Sequence, residues 1–164
     1  MDKRLIGLSS WVVKDGVMLG GLPQPLRMQV LALVWAGLPT QGPHTEREIN
    51  KLLKTQLATT ACFVATDHVE LRRWLVDMGW LARDGFGREY QCVGPAGMRP
   101  EQGALAAAVL CTVGEHGAAA WVQAVRQAWQ AQRDARRKTW QAQSGAQHVS
   151  QAAATVVHAA KDSL

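Results

Sequence analysis

The stretch Asp67–Cys92, DHVELRRWLVDMGWLARDGFGREYQC, changes its periodicity half-way along, and that change decides the fold. Asp67 and Glu70 have the spacing of a helix-start capping box, in which each side chain satisfies an orphan backbone amide. Leu71, Trp74, Leu75 and Met78 then recur at helical intervals and would face a core, leaving Val69, Arg72, Arg73 and Val76 on the outward face. Gly79 can take the left-handed conformation that ends helices. After it, WLARDGFGREYQCV alternates and turns through glycines as a β-hairpin does, with Arg83 and Arg88 flanking the tip.

Upstream, HTEREINKLLKTQ repeats the helix-start signal at Thr45 and Glu48. Ile49, Leu52, Leu53 and Gln56 fall on one side of that helix and Arg47, Lys51 and Lys54 on the other, so it has a core face and a basic face. The link between the two helices, LATTACFVAT, has no clear period and reads as a loop with at most one helical turn. Earlier still, Pro25 stands at a natural first helical position, and apolar residues run from Leu26 to Ala36 until Gly37 and Pro39 stop them. This helix is apolar nearly all round and should be the centre of the core. In WVVKDGVMLGGLP the Asp15-Gly16 dipeptide between β-branched runs predicts an N-terminal β-hairpin.

Downstream of Gly94 the composition changes. GPAGMRPEQG has the proline and glycine content of a linker, and alanine and glutamine dominate beyond it. Alanine-rich sequence predicts one long helix from Trp121 to Gln143, with EHG before it and SG after it as breaks, and a last helix from about Ser150 to Ala160. Trp121, Val125, Trp129 and Trp140 form a stripe along the long helix, which either folds back on the protein's own core or contacts a partner. The cluster Arg133, Arg136, Arg137 and Lys138 is a second phosphate-binding patch or a solubilising face. Three parts are therefore expected: a domain over 1–93, a linker over 94–103 and a helical tail over 104–164.

The chain of 164 residues is long enough for one real core. Eighteen basic against thirteen acidic residues leave a net charge of +5, which favours an anionic partner. Three cysteines at no repeating interval, with no signal-type leader, predict free thiols and a cytoplasmic location. No stretch reaches the ~20 apolar residues needed to cross a bilayer. Cys62 near His68 and Cys111 near His116 are single residues scattered over different elements, so neither a metal nor another cofactor is expected. No Ser-His-Asp order, phosphate-binding glycine loop or close carboxylate pair points to catalysis.

Small hairpin, apolar helix, basic-faced helix, loop, arginine-bearing helix and arginine-flanked hairpin follow one another in winged helix-turn-helix order. The fold expected is thus α+β and mostly helical, a winged helix-turn-helix with an N-terminal β-hairpin and a C-terminal helical extension. Residues from about Trp11 to Val93 resemble the bacterial domain of unknown function 2087 family through VVKDGVMLGGLP, TEREINKLL, DHVELRRWLVDMGWLARD and GREYQCV. The loop LATTACFVAT is longer than that family's usual connection, His44 stands where an aromatic residue is common, and the tail from Met98 has no part in the resemblance. The resemblance implies a winged-helix fold and a transcriptional regulator. In such a module the helix before the hairpin enters the major groove, where arginine pairs with guanine and valine touches a thymine methyl. Double-stranded DNA is the expected partner, with Val69, Arg73 and Val76 at bases and Arg47, Lys51, Lys54, Arg72, Arg83 and Arg88 at the backbone. A homodimer through the C-terminal helices is expected with it. The competing expectation is a non-catalytic interaction module docking on a polymerase or mobile-element protein.

Overall fold

The computed structural model describes residues 3–5 and 7–161 and is α+β, mostly helical, with one three-stranded antiparallel sheet. The order is α1 (Leu8–Val12), α2 (Gln24–Ala36), β1 (His44–Thr45), α3 (Glu46–Ala58), α4 (His68–Asp77), β2 (Leu81–Arg83), β3 (Glu89–Cys92), α5 (Pro100–Val113) and α6 (Gly117–Lys161). The strands lie in the order β1-β3-β2, with His44 opposite Tyr90 and Leu81 opposite Cys92. Met1–Arg126 forms one compact unit and Gln127–Leu164 a second.

The core of the first unit is built around α2. Val30 to Trp35 are all buried, as a helix that is apolar on every side must be. Trp35 packs against the fully buried Trp80 at 5.6 Å between ring centres, and its Nε1 donates to the Val93 carbonyl at 3.1 Å. These contacts fasten the chain on both sides of the hairpin to the central helix. Helix α2 ends at Gly37, whose carbonyl accepts from Gln56 Nε2 at 2.8 Å. That amide lies so close over Gly37 that a Cβ there would sit 2.5 Å from Gln56 Oε1.

Helix α3 opens with the expected capping box: the Thr45 side chain accepts from the Glu48 amide and Glu48 accepts from the Thr45 amide. Helix α4 opens on half of the expected pair. Asp67 Oδ1 accepts from the amides of Val69 and Glu70, both at 2.8 Å, while Glu70 turns its carboxylate to the Thr66 hydroxyl at 2.7 Å. The loop between α3 and α4 carries Ala61 and Phe63, both fully buried, so it plugs the core.

Several elements differ from the sequence reading. The N-terminal β-hairpin is absent from the described residues: Asp15 and Gly16 turn the chain out of α1, and Val17 makes a single parallel bridge to Val64. The β-branched run Val12-Val13 looked like a strand, but Leu8 and Val12 stand one helical turn apart and both bury against the core. Arg126 holds this turn from the other end of the unit, donating to the Val12 and Lys14 carbonyls at 2.8 and 2.9 Å and pairing with Asp15 at 2.6 Å. Where a linker was expected, α5 begins at Pro100 and buries Leu105, Val109 and Val113 in the core, and Gln102 Nε2 donates to the Gly79 carbonyl at 2.9 Å. Helix α6 runs unbroken through Ser144 and Gly145, where a break was expected, so the residues of the expected last helix, from about Ser150 to Ala160, belong to α6 itself. Among the described residues no single helix is long and apolar enough to cross a membrane.

Candidate nucleic-acid interface

Helix α4 buries Leu71 and Leu75 and half-buries Trp74 and Met78, which turns Val69 and Arg73 to solvent. Val69 is 40% exposed. Val76, on the same helical stripe, is half-buried against the core. Arg73 is exposed and makes no hydrogen bond or ion pair among the described residues.

Arg72 is engaged differently. Its side chain is only 12% exposed; Nη1 lies 2.9 Å from Glu46 Oε1 and donates to Asn50 Oδ1, and the guanidinium stands 5.0 Å from the centre of the Tyr90 ring. One side chain of α4 thus fastens the start of α3 and the last strand of the sheet. A guanidinium suits this task because it spreads donors in a planar fork and can stack on a ring at the same time.

Helix α3 presents Arg47, Lys51 and Lys54 to solvent, none of them paired among the described residues. With Thr45, Asn50 and His68 they line an open cleft of about 900 Å³ that runs from α3 to the start of α4. Of the two acidic residues bordering it, Glu46 is paired with Arg72 and Glu48 is held by the Thr45 amide and hydroxyl. Those hydrogen bonds, the amide's foremost, keep the Glu48 carboxyl below its ordinary value. Neither carboxylate forms an ion pair with Arg47, Lys51 or Lys54 among the described residues.

The hairpin tip is shaped by Asp84. Its Oδ1 accepts from the amides of Arg88 and Glu89 at 2.7 and 3.1 Å, and the Glu89 amide is the main cause of its lowered pKa. Gly87 closes the turn with φ +68, a conformation that a side chain disfavours. Phe86 is 82% exposed at the tip, with Arg88 lying 4.7 Å over its ring, and Arg83 is exposed and has no partner among the described residues. The hairpin is attached to α3 through the β1–β3 pairing and through the Glu46 amide, which donates to the Arg88 carbonyl at 3.2 Å.

Residues 24–92 match the family model described as "Uncharacterized protein conserved in bacteria (DUF2087)". The match begins with α2 and ends with β3, so the matched segment contains the whole sheet and every residue of the surface just described. It starts at Gln24, past Trp11, so α1 and the turn found in place of the expected hairpin lie outside it. No curated protein and no solved structure matches this chain.

Of the expected partner contacts, Trp121 and Val125 are half-buried against the core of the first unit. Trp129 and Trp140 belong to the second, and Trp140 is exposed. The three cysteines are free, with Cys62 and Cys111 exposed and Cys92 buried, its thiol pushed up to about 11 by desolvation. Sequence reasoning missed β1, which at two residues is too short to show alternation, and missed the Arg72–Glu46–Asn50 cluster, in which Arg72 stands more than twenty positions from its two partners.

Proposed function

We propose that this protein is a winged helix-turn-helix DNA-binding module that acts as a transcriptional regulator in the bacterial cytoplasm. Helix α4 is its recognition helix and the β2–β3 hairpin its wing. The observation that carries this reading is the set of cations left unpaired around the two helices and the hairpin: Arg47, Lys51 and Lys54 on α3, Arg73 on α4 and Arg83 beside the tip. Element order supports it as well, because a short strand before α3 pairs with the strand that returns from the hairpin.

In this reading Arg73 and Val69 contact base edges, Val76 supports them from a half-buried position, and Arg47, Lys51, Lys54, Arg83 and Arg88 hold phosphates. Arg72 fixes the angle between α3 and α4 and leaves the backbone set. Binding selection from random duplexes at physiological salt tests the reading: one sequence family should be enriched, and a palindrome would signal two copies on a two-fold axis. With five phosphates neutralised, the log-log salt slope should be about −4.5. A slope near zero, or no enrichment, refutes it.

A second reading is favoured by one observation. Phe86 is the most exposed large apolar residue described, and from the hairpin tip it offers an apolar contact to a protein partner such as a polymerase or a mobile-element component. Replacing Arg73 with alanine separates the two readings. DNA binding should weaken by ~1–3 kcal/mol with relaxed preference at one base position, whereas a protein held through Phe86 should not respond.

A further inference from the structure

On α6, beyond Arg126, the spacing of side chains makes a second feature that the winged-helix reading does not use. At about 100° per residue, Trp129, Arg133, Arg136 and Trp140 fall within an arc of roughly 60°, with the two indoles about 16 Å apart along the axis. Arg133 lies over the Trp129 ring at 4.6 Å, and Trp140 is 68% exposed. Arg137 borders the stripe and pairs with Asp134 at 3.2 Å.

The charge pattern decides what can cover such a stripe. A helix seam between two copies needs apolar residues between its tryptophans, and here arginines stand there. Parallel or antiparallel, a second copy would bring guanidinium against guanidinium. Asp134 is the only acid from Gln127 to Lys161, and it is already paired, so the same stripe on a second copy has no free carboxylate to offer. The occupant must bring negative charge at more than one point and flat faces for the indoles. A single nucleic-acid strand has both, since its phosphates repeat along the backbone and its unpaired bases expose their rings, whereas a duplex keeps its bases stacked inside.

We propose that the Trp129–Trp140 stripe is a single-strand nucleic-acid contact, in which Arg133 and Arg136 hold phosphates and Trp140 stacks on an unpaired base. This goes beyond duplex binding through α4 and is independent of it. The test is fluorescence anisotropy with the full chain at about 50 mM salt, where phosphate contacts are weakly screened, using a labelled oligothymidylate and a duplex of equal length.

Trp140→Ala should weaken binding to the strand roughly 5- to 150-fold and leave the duplex unaffected, and Trp140→Phe should restore most of the loss. Arg133→Gln with Arg136→Gln should make the salt slope on the strand shallower by about 1.4. Arg73→Ala should do the reverse of Trp140→Ala, weakening the duplex and sparing the strand, so failure of one reading is distinguishable from failure of the other. Trp140 is exposed, so circular dichroism should report an unchanged helix in its variants. Unchanged strand binding by Trp140→Ala overturns the proposal. So does an equal loss on strand and duplex, or sedimentation showing that Trp140→Ala converts a dimer to a monomer without affecting strand binding.

Discussion

Arg72 and Arg73 are neighbours of identical chemistry, yet replacing each with alanine should have opposite consequences. Arg72 donates to Asn50, pairs with Glu46 and stacks beside Tyr90. A charge-assisted hydrogen bond contributes about 1.5 kcal/mol at the lower end of its range. The Glu46 side chain is 52% exposed, and a carboxylate freed there would regain water, so that pair is discounted to below about 1 kcal/mol. The ring contact adds about 1 kcal/mol. Arg72→Ala should therefore cost about 3 kcal/mol, and with a urea dependence of about 2 kcal/mol per molar the unfolding midpoint should fall by about 1.5 M. Arg73→Ala removes an exposed, unpaired side chain and should stay within about 0.5 kcal/mol of the parent. On DNA the order reverses: Arg73→Ala should cost 5- to 150-fold in affinity by the proposed base contact, and Arg72→Ala should leave the salt slope unchanged because no phosphate contact is lost. The reasoning is refuted by an Arg72→Ala chain that unfolds at the parental midpoint while its salt slope shrinks by about 0.9, the mark of a lost phosphate contact.

Other positions give further checks. Gly37→Ala should destabilise by about 1–2 kcal/mol, because the new Cβ would displace Gln56 and break its hydrogen bond to the Gly37 carbonyl; thermal unfolding reads this, and a Gln56→Ala background should remove most of the effect. Under native conditions a thiol reagent should label Cys62 and Cys111 and spare Cys92 until the chain unfolds; three equally fast thiols would contradict the burial of β3. Glu48, Asp67 and Asp84 are held below their ordinary values of 4.5, 3.8 and 3.8, chiefly by the backbone amides of Thr45, Glu70 and Glu89. Their folded pKa values are depressed, so their contribution is present above those ordinary values and is lost as pH falls below them. Urea midpoints should decline in that acid range, and Asp67→Asn, which keeps a capping oxygen without the charge, should decline less steeply.

The middle of the chain was legible because its signals are local. Capping residues, a heptad-like stripe and a glycine-tipped alternation each lie within a few positions, and α2, α3, α4 and the β2–β3 hairpin follow from them. The N-terminus was misread because Val12, Val13 and Val17 have β-branched side chains, and nothing nearby reveals that Arg126, more than a hundred residues on, turns the chain there. Helix α5 was hidden by its composition: proline and glycine at its start resemble a linker, and only packing on α2 distinguishes its alanines from those of a solvated tail. The continuity of α6 through Ser144 and Gly145 follows from alanine-rich flanks that outweigh one glycine.

The candidate surface was legible as a set of residue types and illegible as a division of labour. Three arginines, Arg27, Arg72 and Arg126, act as internal fasteners. Arg27 donates to the carbonyls of Leu19, Gly20 and Leu22 and covers Trp74, and Arg126 holds the turn after α1. Arg73, Arg83 and Arg88 remain mostly in solvent. No sequence rule separates the two groups, because both present the same fork of donors, and what assigns a guanidinium to the interior is the presence of unsatisfied carbonyls or a carboxylate within reach of its stem. The consequence for recognition is geometric. With Arg72 joining α3, α4 and β3, the exposed Arg73 one position later is carried on a helix whose orientation is fixed before any partner arrives, and the ordering cost of presenting it falls mainly on its own side chain. A charge-conserving Arg72→Lys change would keep the net charge and lose the fork. It should therefore weaken sequence-specific DNA binding more than nonspecific binding, a pattern that a purely electrostatic surface would not produce.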